Sequence, residues 1–262
     1  MSSLQLGTLE KAYKILDLFN DNAESLTFSE IVDKTGLEKG SVQRVLFTFE
    51  NLGLLRRHQR YKHYSLSPRF ISYAVSHLQS DPLMLQAIKH LEPLARQTSE
   101  SIGIAIMDGV HAFFISRIPN LVSHDFALLP VRRAAISTAG GRAIMSRLPQ
   151  DDVDRIIEHS VIHKLTSKTI TDLEEIRRLI AIAKRDGVSC QDGEILEMEC
   201  AVAAPVLGDG DLPVAAVTVS IDRSRYTMDE ARAHFTDMVK LAAQRMSSPS
   251  LSASRLPPTI TR

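Results

Sequence analysis

Polar and basic side chains suited to reading DNA recur at helical spacing between residues 39 and 52. The opposite, apolar stripe of this predicted helix consists of Val42, Val45, Leu46, Phe49 and Leu52. The candidate base-contacting residues are Lys39, Gly40, Ser41, Gln43, Arg44, Phe47 and Thr48. In the major groove an arginine fork pairs with guanine, an amide side chain pairs with adenine, and hydroxyl or apolar groups contact other bases. This face therefore offers the chemistry that direct readout of DNA requires.

Basic side chains continue into a predicted β-hairpin at 54–66, in which two short strands enclose residues 58–61. Its candidate phosphate contacts are Arg57, Arg60, Tyr61 and Lys62. Residues 39–69 contain seven Lys or Arg and one acid, whereas residues 1–38 contain three Lys and seven acids. The formal net charge of the whole chain is +0. A locally basic face in a neutral chain predicts that contact with nucleic acid is confined to this module.

The residues before this helix contain the elements that would position it. Thr27 and Glu30 have the spacing of a capping box at the start of a short helix, 28–34. Gly36 supplies the turn to the next helix, and an earlier helix over 8–20 would support the pair. Together with the hairpin, this order predicts a winged helix-turn-helix. Other small helical domains share part of the pattern, and the cluster of basic residues favours the DNA-binding interpretation.

Composition indicates an ordinary globular protein of one large or two modest domains. The 262 residues are 44% hydrophobic and 24% charged. The sequence contains neither an apolar run long enough to cross a membrane nor the apolar core of a signal peptide. We therefore expect a cytoplasmic protein without a membrane partner.

The sequence offers little support for an enzyme, a cofactor or a metal site. Two cysteines, Cys190 and Cys200, are too few for a disulfide framework or a zinc quartet. His159 and His163 could share a helix face, but they lack a third ligand. Phosphate-binding loops, nucleophile elbows and zinc-protease motifs are absent from the sequence. We predict no catalytic residue, no metal ligand and no cofactor.

The chain downstream of the hairpin predicts a second domain, so that the fold class is α+β. Pro82 begins a helix that Pro93 should kink or split, and Asp108-Gly109 joins two strands in a hairpin. Further strands are predicted near 125–129, 201–207 and 214–221, and helices over 142–148, 150–159, 173–185 and 228–246. The predicted organisation is a DNA-binding domain at 1–68, a linker helix at 69–81, an antiparallel sheet flanked by helices at 82–246, and a disordered tail at 247–262.

The glycine-rich turn 138–142, Thr-Ala-Gly-Gly-Arg, is a candidate ligand site in the second domain. Such a turn at a helix N-terminus presents unpaired N–H groups and a partial positive charge, which suit an anion. Alternatively, the glycines only allow the helix to pack closely on the sheet. Further along, the acidic residues within 192–199 are interpreted as a solvated loop.

Several blocks of this sequence, in this order, resemble the IclR-type bacterial transcription regulators. In the N-terminal part they are LEKAYKILDLF, LEKGSVQRVLFTFENLGLL and YKHYSL. In the C-terminal part they are IGIAIMDG, TAGGRAIMSRLP, KTITDLEEIRRLIAIAKRDGVSC and CAVAAPV followed by AAVTVSI. The resemblance extends from about residue 8 to residue 246.

The resemblance implies a winged helix-turn-helix joined to a GAF-like effector-binding domain. It also implies a homodimer or a dimer-of-dimers tetramer that binds a palindromic operator in double-stranded DNA. The effector of many members is a carboxylate or an aromatic acid. The effector-binding residues that the resemblance implies are Thr138, Ala139, Gly140, Cys190, Met198, Cys200, Thr218 and Ser220. Thr218 and Ser220 point the same way on an extended strand, and Met198 and Cys200 would do so if their segment is extended.

Three positions depart from the family pattern. Arg142 stands where the family has lysine, Phe47 where it has a small residue, and Pro68 where it has glycine. Phe47 could contact a thymine methyl group or pack on the wing. Repression and activation are equally open. The alternative to a regulator is a metabolite-binding protein or an enzyme whose N-terminal module mediates protein contacts.

Overall fold

The chain divides into two compact units, Met1–Asp81 and Pro82–Arg262. The computed structural model describes residues 6–21, 25–58, 60–119 and 131–251. No helix within these ranges is long and apolar enough to cross a membrane. The architecture is α+β, with a helical first unit and a second unit built on an antiparallel sheet.

The described part of the first unit contains four helices and a small antiparallel sheet. Its elements are α1 (Gly7–Asp21), β1 (Leu26–Thr27), α2 (Phe28–Thr35), α3 (Lys39–Asn51), β2 (Leu55–His58), β3 (His63–Leu66) and α4 (Arg69–Ser80). The strand order is β1-β3-β2. The core of this unit contains residues from α1, α2, α3 and the sheet, including Ile15, Ile31, Leu46, Leu55 and Tyr64.

Local sequence signals determine where α2 and α3 begin and end. The hydroxyl of Thr27 accepts the N–H of Glu30 at 3.2 Å, while the Glu30 carboxylate accepts the N–H of Thr27 at 2.7 Å, so the predicted capping box is confirmed. Gly36 ends α2 in the left-handed region at φ 63°. The predicted apolar stripe of α3 is wrong for Leu52, which is 51% exposed because the helix ends at Asn51.

The second unit carries a six-stranded antiparallel sheet of order β6-β5-β4-β9-β8-β7. Its elements are α5 (Pro82–Thr98), β4 (Ser101–Asp108), β5 (His111–Ile118), β6 (Val131–Ala134), α6 (Ala139–Met145), α7 (Gln150–His159), α8 (Leu173–Asp186), β7 (Ser189–Asp192), β8 (Glu199–Leu207), β9 (Pro213–Asp222) and α9 (Met228–Met246). Helix α6 packs on one face of the sheet, where Ala139 and Ala143 meet Ala201, Ala203 and Ala216. Helices α5 and α9 also pack on the sheet and contact each other.

Several local expectations in the second unit are corrected by the structure. Pro93 lies inside α5 without splitting it. The predicted tail is ordered over 247–251, because the side chain of Leu251 is buried and its carbonyl accepts the N–H of Asp209 at 2.9 Å. Strands β6 and β7 were not predicted, and the strand predicted near 125–129 lies outside the described residues. The hairpin at Asp108-Gly109 is confirmed, and Thr227 forms a second capping box with Glu230 at the start of α9.

Candidate functional site

The face of α3 proposed to read DNA is open to solvent. Six of the seven predicted contacts on this helix are exposed, and the exception, Ser41, is 7% exposed. Ser41 Oγ accepts Arg44 Nη2 at 3.4 Å, so the buried hydroxyl helps to orient the guanidinium. Thr48 donates its hydroxyl to the carbonyl of Arg44 at 2.8 Å. Phe47 is 64% exposed, so most of its side chain faces solvent.

Strands β2 and β3 form the predicted wing, with a basic and aromatic tip. The Arg60 guanidinium lies 5.6 Å from the ring centre of Tyr61, which is itself 64% exposed. Lys62 adopts φ 53°, and its N–H donates to the carbonyl of His58 at 2.8 Å, which closes the turn. Tip residues of this kind suit the phosphates of a duplex.

Arg57 and Tyr64 connect the wing to the core. The Arg57 guanidinium lies 5.8 Å from the ring centre of Tyr64. Burial raises the pKa of the Tyr64 phenol above its ordinary value, although the nearby arginine opposes the shift. The wing thus rests on a neutral buried tyrosine, while the charge of Arg57 stays at the exposed surface.

A cavity of about 130 Å³ lies in the second unit, between the sheet and the start of α6. It is lined by Ser101, Gly103, Phe114, Ser116, Arg117, Val131, Arg133, Thr138, Ala139, Gly140, Gln191, Ile195, Leu196, Glu199, Ala201, Thr218 and Ser220. Apolar walls combined with hydroxyl, amide and charged groups are typical of a small-molecule site.

Five of the eight predicted effector residues line this cavity: Thr138, Ala139, Gly140, Thr218 and Ser220. Thr218 and Ser220 share the cavity face of β9, as their spacing predicts. The hydroxyl of Thr218 donates to the carbonyl of Gly103 at 3.1 Å, so one of the cavity hydroxyls is already bonded to the neighbouring strand.

The other three, Cys190, Met198 and Cys200, do not line the cavity. Met198 precedes β8 and is 63% exposed, whereas Cys200 is fully buried. Met198 lies in a turn and only Cys200 lies on β8, so the segment is not extended throughout and the condition for these two side chains to share a direction is not met. Instead, Gln191 and Glu199 line the cavity, each one residue away from a predicted position. Neighbouring residues on a strand point to opposite faces, so a shift of one position exchanges the two faces.

Close packing explains both glycines of the turn 138–142. A Cβ atom on Gly141 would lie 2.2 Å from the carbonyl oxygen of Ala135, which no side chain tolerates. A Cβ on Gly140 would meet the Ala105 Cβ at 3.0 Å. Thr138 caps α6 by accepting the N–H of Gly141 at 2.9 Å, so this donor is already paired. The glycines therefore have the packing role that was considered as the alternative: they let the helix approach the sheet closely. This role is compatible with ligand binding at the same turn.

A buried ion pair lies at the start of α6. Arg142 is fully buried, and its Nη1 and Nη2 donate to Glu194 Oε1 and Oε2 at 2.7 and 2.6 Å. Its Nε donates to the carbonyl of Ile136 at 2.6 Å. The N–H of Glu194 in turn donates to Gln191 Oε1 at 2.8 Å, and Gln191 lines the cavity. The prediction of a solvated loop at 192–199 is wrong for Glu194, because a buried guanidinium needs a buried counter-charge.

The structure adds cavity residues that the sequence pattern did not indicate, among them Phe114, Arg117 and Arg133. A bulge between Ile104 and Ala105 shifts the pairing of β4 with β5, so simple alternation along β5 does not predict which side chains share a face. The sequence predicts that side chains alternate between the two faces along β8. It does not indicate whether the odd-numbered or the even-numbered residues face the cavity.

Within the described ranges, no group of three His, Cys, Asp or Glu side chains could hold a metal ion. Both cysteines are free. Burial raises the pKa of the Cys190 thiol, and burial followed by the charge of Asp192 raises that of Cys200 to about 11. Both shifts favour the unreactive thiol form.

Two family models together match most of the chain. Residues 75–248 match the family described as "Bacterial transcriptional regulator IclR C-terminal", and residues 8–59 match the "IclR helix-turn-helix domain". The HTH-type transcriptional regulator KipR of Bacillus subtilis is 28% identical over 243 residues, spanning 92% of this chain and 95% of KipR. This relative is a transcriptional regulator.

Two solved structures have the same fold. An IclR transcriptional regulator from Alicyclobacillus acidocaldarius is 20% identical with a TM-score of 0.78, covering 93% of this chain and 98% of its own. An IclR homolog from Microbacterium hydrocarbonoxydans, solved in complex with 4-hydroxybenzoate, is 19% identical with a TM-score of 0.71, covering 92% of this chain and 97% of its own.

Proposed function

Because the chain belongs to the IclR family of bacterial transcriptional regulators, we propose that it binds a palindromic operator through α3 and the wing and is controlled by a small carboxylic acid. The acid occupies the cavity between the sheet and α6. The working form is a homodimer or a dimer of dimers. A regulator of this kind acts in the cytoplasm, where the bacterial chromosome lies.

The exposed face of α3 is the observation that carries the DNA-binding proposal. Arg44 and Gln43 stand on it beside Phe47, a large aromatic side chain that is 64% exposed. Burying such a ring against a thymine methyl group gives it a partner that the described part of the chain does not provide. Arg60 and Lys62 at the tip of the wing are also exposed. A module that contacted only protein would not need this set of cations.

A single helix in the major groove reads only a few base pairs. Two copies on a palindrome double the number of base contacts and give the specificity that a regulator requires. This argument supports at least a dimer on the operator.

The chemistry of the cavity supports an acid as effector. Phe114, Val131 and Ile195 offer an apolar wall, while Thr138, Ser220 and other polar groups face the same space. The structural relative from M. hydrocarbonoxydans was solved with 4-hydroxybenzoate, an aromatic carboxylate. An acid of this class combines an apolar body with an anionic end, which matches the two kinds of lining.

Fluorescence anisotropy with the full chain tests the proposal. The duplexes are DNA from upstream of the protein's own gene and a shuffled sequence of the same composition, each at two salt concentrations. We expect selective binding to the upstream duplex that at least one of 4-hydroxybenzoate, benzoate and pyruvate changes. Equal binding to both duplexes at both salt concentrations, with and without every acid, would contradict the proposal.

A further inference from the structure

Arg117 and Glu199 form an ion pair across the middle of the six-stranded sheet. Arg117 lies on β5 and Glu199 on β8, and strands β4 and β9 separate them. Three strand spacings amount to about 14 Å of backbone separation. The Arg117 Nη2 nevertheless lies 3.8 Å from Glu199 Oε2. The two side chains must therefore extend toward each other over β4 and β9.

Small hydroxyl side chains lie on the two strands between them. Ser101 on β4 and Ser220 on β9 are direct partners in the sheet, and both line the cavity with Arg117 and Glu199. The ion pair therefore lies on the same face of the sheet as these two small residues, within the lining of the cavity. Both charged side chains are about one-fifth exposed, at 20% and 22%.

The pair is loose. At 3.8 Å its charged atoms are too far apart for a hydrogen bond, in contrast to the bidentate contact of Arg142 with Glu194. The backbone of Glu199 is fixed, because its N–H donates to the carbonyl of Leu196 at 3.0 Å and its carbonyl accepts the N–H of Gly193 at 2.9 Å. The starting point of the Glu199 side chain is therefore fixed, and a closer approach to the guanidinium requires rotation of one of the two side chains.

We propose that Arg117 is the residue that binds the carboxylate of the effector, and that Glu199 competes with this carboxylate for the same guanidinium. A free carboxylate can approach an arginine fork to about 2.8 Å with two parallel hydrogen bonds, whereas Glu199 lies 3.8 Å from the guanidinium. The pair then selects for acids, because the neutral carbonyl of an amide is a weaker partner for the arginine than the charged Glu199 carboxylate that it would have to replace. This inference rests on the proposed function of the cavity as an acid-binding site.

Isothermal titration calorimetry of the full chain tests it with three variants. They are Arg117→Gln, Glu199→Gln and, as a matched control, Arg133→Gln, which removes the same charge from another position on the cavity lining. The ligands are 4-hydroxybenzoate, benzoate and pyruvate, each compared with its neutral amide. Circular dichroism checks folding, and Arg117→Lys, which keeps the charge and loses the fork, replaces Arg117→Gln if that variant does not fold.

We expect Arg117→Gln to weaken acid binding by about tenfold or more, which is typical of losing a hydrogen bond to a charged group. Arg117→Lys should weaken it less. Glu199→Gln should tighten acid binding by about threefold, because the competitor has lost its charge. Arg133→Gln should change the affinity by less than either, and the affinities of the amides should respond to none of the substitutions.

The outcomes separate the two proposals. Acid binding to the wild type that is unaffected by Arg117→Gln and Glu199→Gln, or equally weakened by Arg133→Gln, overturns the role of the ion pair and leaves the acid site standing. If an acid binds to the Glu199→Gln variant and not to the wild type, the result directly supports competition between Glu199 and the acid for Arg117. Failure of every acid to bind the wild type and Glu199→Gln overturns both proposals.

Discussion

Arg142 and Glu194 are 52 residues apart in the chain and form a bidentate ion pair from which water is excluded. The pair ties the first turn of α6 to the segment between β7 and β8. That segment also supplies Ile195 and Leu196 to the cavity wall. Because the Arg142 Nε is bonded to the carbonyl of Ile136 as well, every nitrogen of the guanidinium has a partner. The pair therefore fixes two walls of the cavity relative to each other.

Replacing Arg142 by methionine should lower the free energy of unfolding by about 3–5 kcal/mol, because Glu194 is left as an uncompensated buried charge. Urea unfolding followed by circular dichroism measures the change. The double variant Arg142→Met/Glu194→Leu should recover most of the loss, since it removes both charges.

The matched control is Arg178→Met, which breaks another bidentate pair, with Glu175, on an exposed helix surface. Exposed pairs contribute little, so this variant should unfold at nearly the wild-type urea concentration. Equal losses from Arg142→Met and Arg178→Met would show that burial does not determine the contribution of the first pair.

Gly141→Ala should destabilise the second unit by about 1–3 kcal/mol or prevent its folding, as expected for an overpacked site. The added Cβ would lie 2.2 Å from the Ala135 carbonyl oxygen, a backbone atom that cannot move aside. Gly7→Ala is the control, because a Cβ there meets nothing within 4 Å. If thermal unfolding midpoints of the two variants coincide, the contact of α6 with Ala135 is not tight.

Phe47→Ala should weaken operator binding and leave the free energy of unfolding within about 0.5 kcal/mol of the wild type, because the ring is 64% exposed. Phe49→Ala, two residues further along the same helix, should instead cost about 3–5 kcal/mol, since Phe49 is 7% exposed in the core of the first unit. Loss of stability in Phe47→Ala would argue that the ring packs within the protein.

Both cysteines should react slowly with Ellman's reagent at pH 8 in the native protein and rapidly after unfolding. Burial raises the pKa of Cys190, and that of Cys200 to about 11. A raised folded-state pKa favours the neutral thiol, so this contribution to stability is complete below the ordinary pKa of about 9 and is lost as pH rises toward 11. Fast native labelling at pH 8 would refute the shift.

Local signals in the sequence were sufficient for the helices and their caps. Thr27 with Glu30, and Thr227 with Glu230, each satisfy their partners within one turn of chain, so their spacing alone predicts the geometry. The same holds for the left-handed turn at Gly36.

The cavity was less predictable because its lining depends on strand alternation and distant pairing. Cys200, which was predicted, and Glu199, which lines the cavity, are neighbours on β8, and neighbouring residues of a strand point to opposite faces of the sheet. The partner of Arg142 lies 52 residues away, and no local pattern connects the two. The acidic residues around Glu194 suggested a solvent-exposed segment. The arginine that neutralises Glu194 is distant in sequence and is identified only from the folded structure.

The most direct test of the account compares wild type, Arg44→Ala and Arg60→Ala on a selected operator and on random DNA at several salt concentrations. Arg44→Ala should lose about 1–3 kcal/mol of operator affinity and little affinity for random DNA, because it removes a base contact. Arg60→Ala should weaken binding to the operator and to random DNA equally. It should also reduce the slope of log affinity against log salt concentration by the amount expected for about one phosphate contact. Unchanged operator affinity in Arg44→Ala together with an unchanged salt dependence in Arg60→Ala would contradict the assignment of α3 and the wing to DNA.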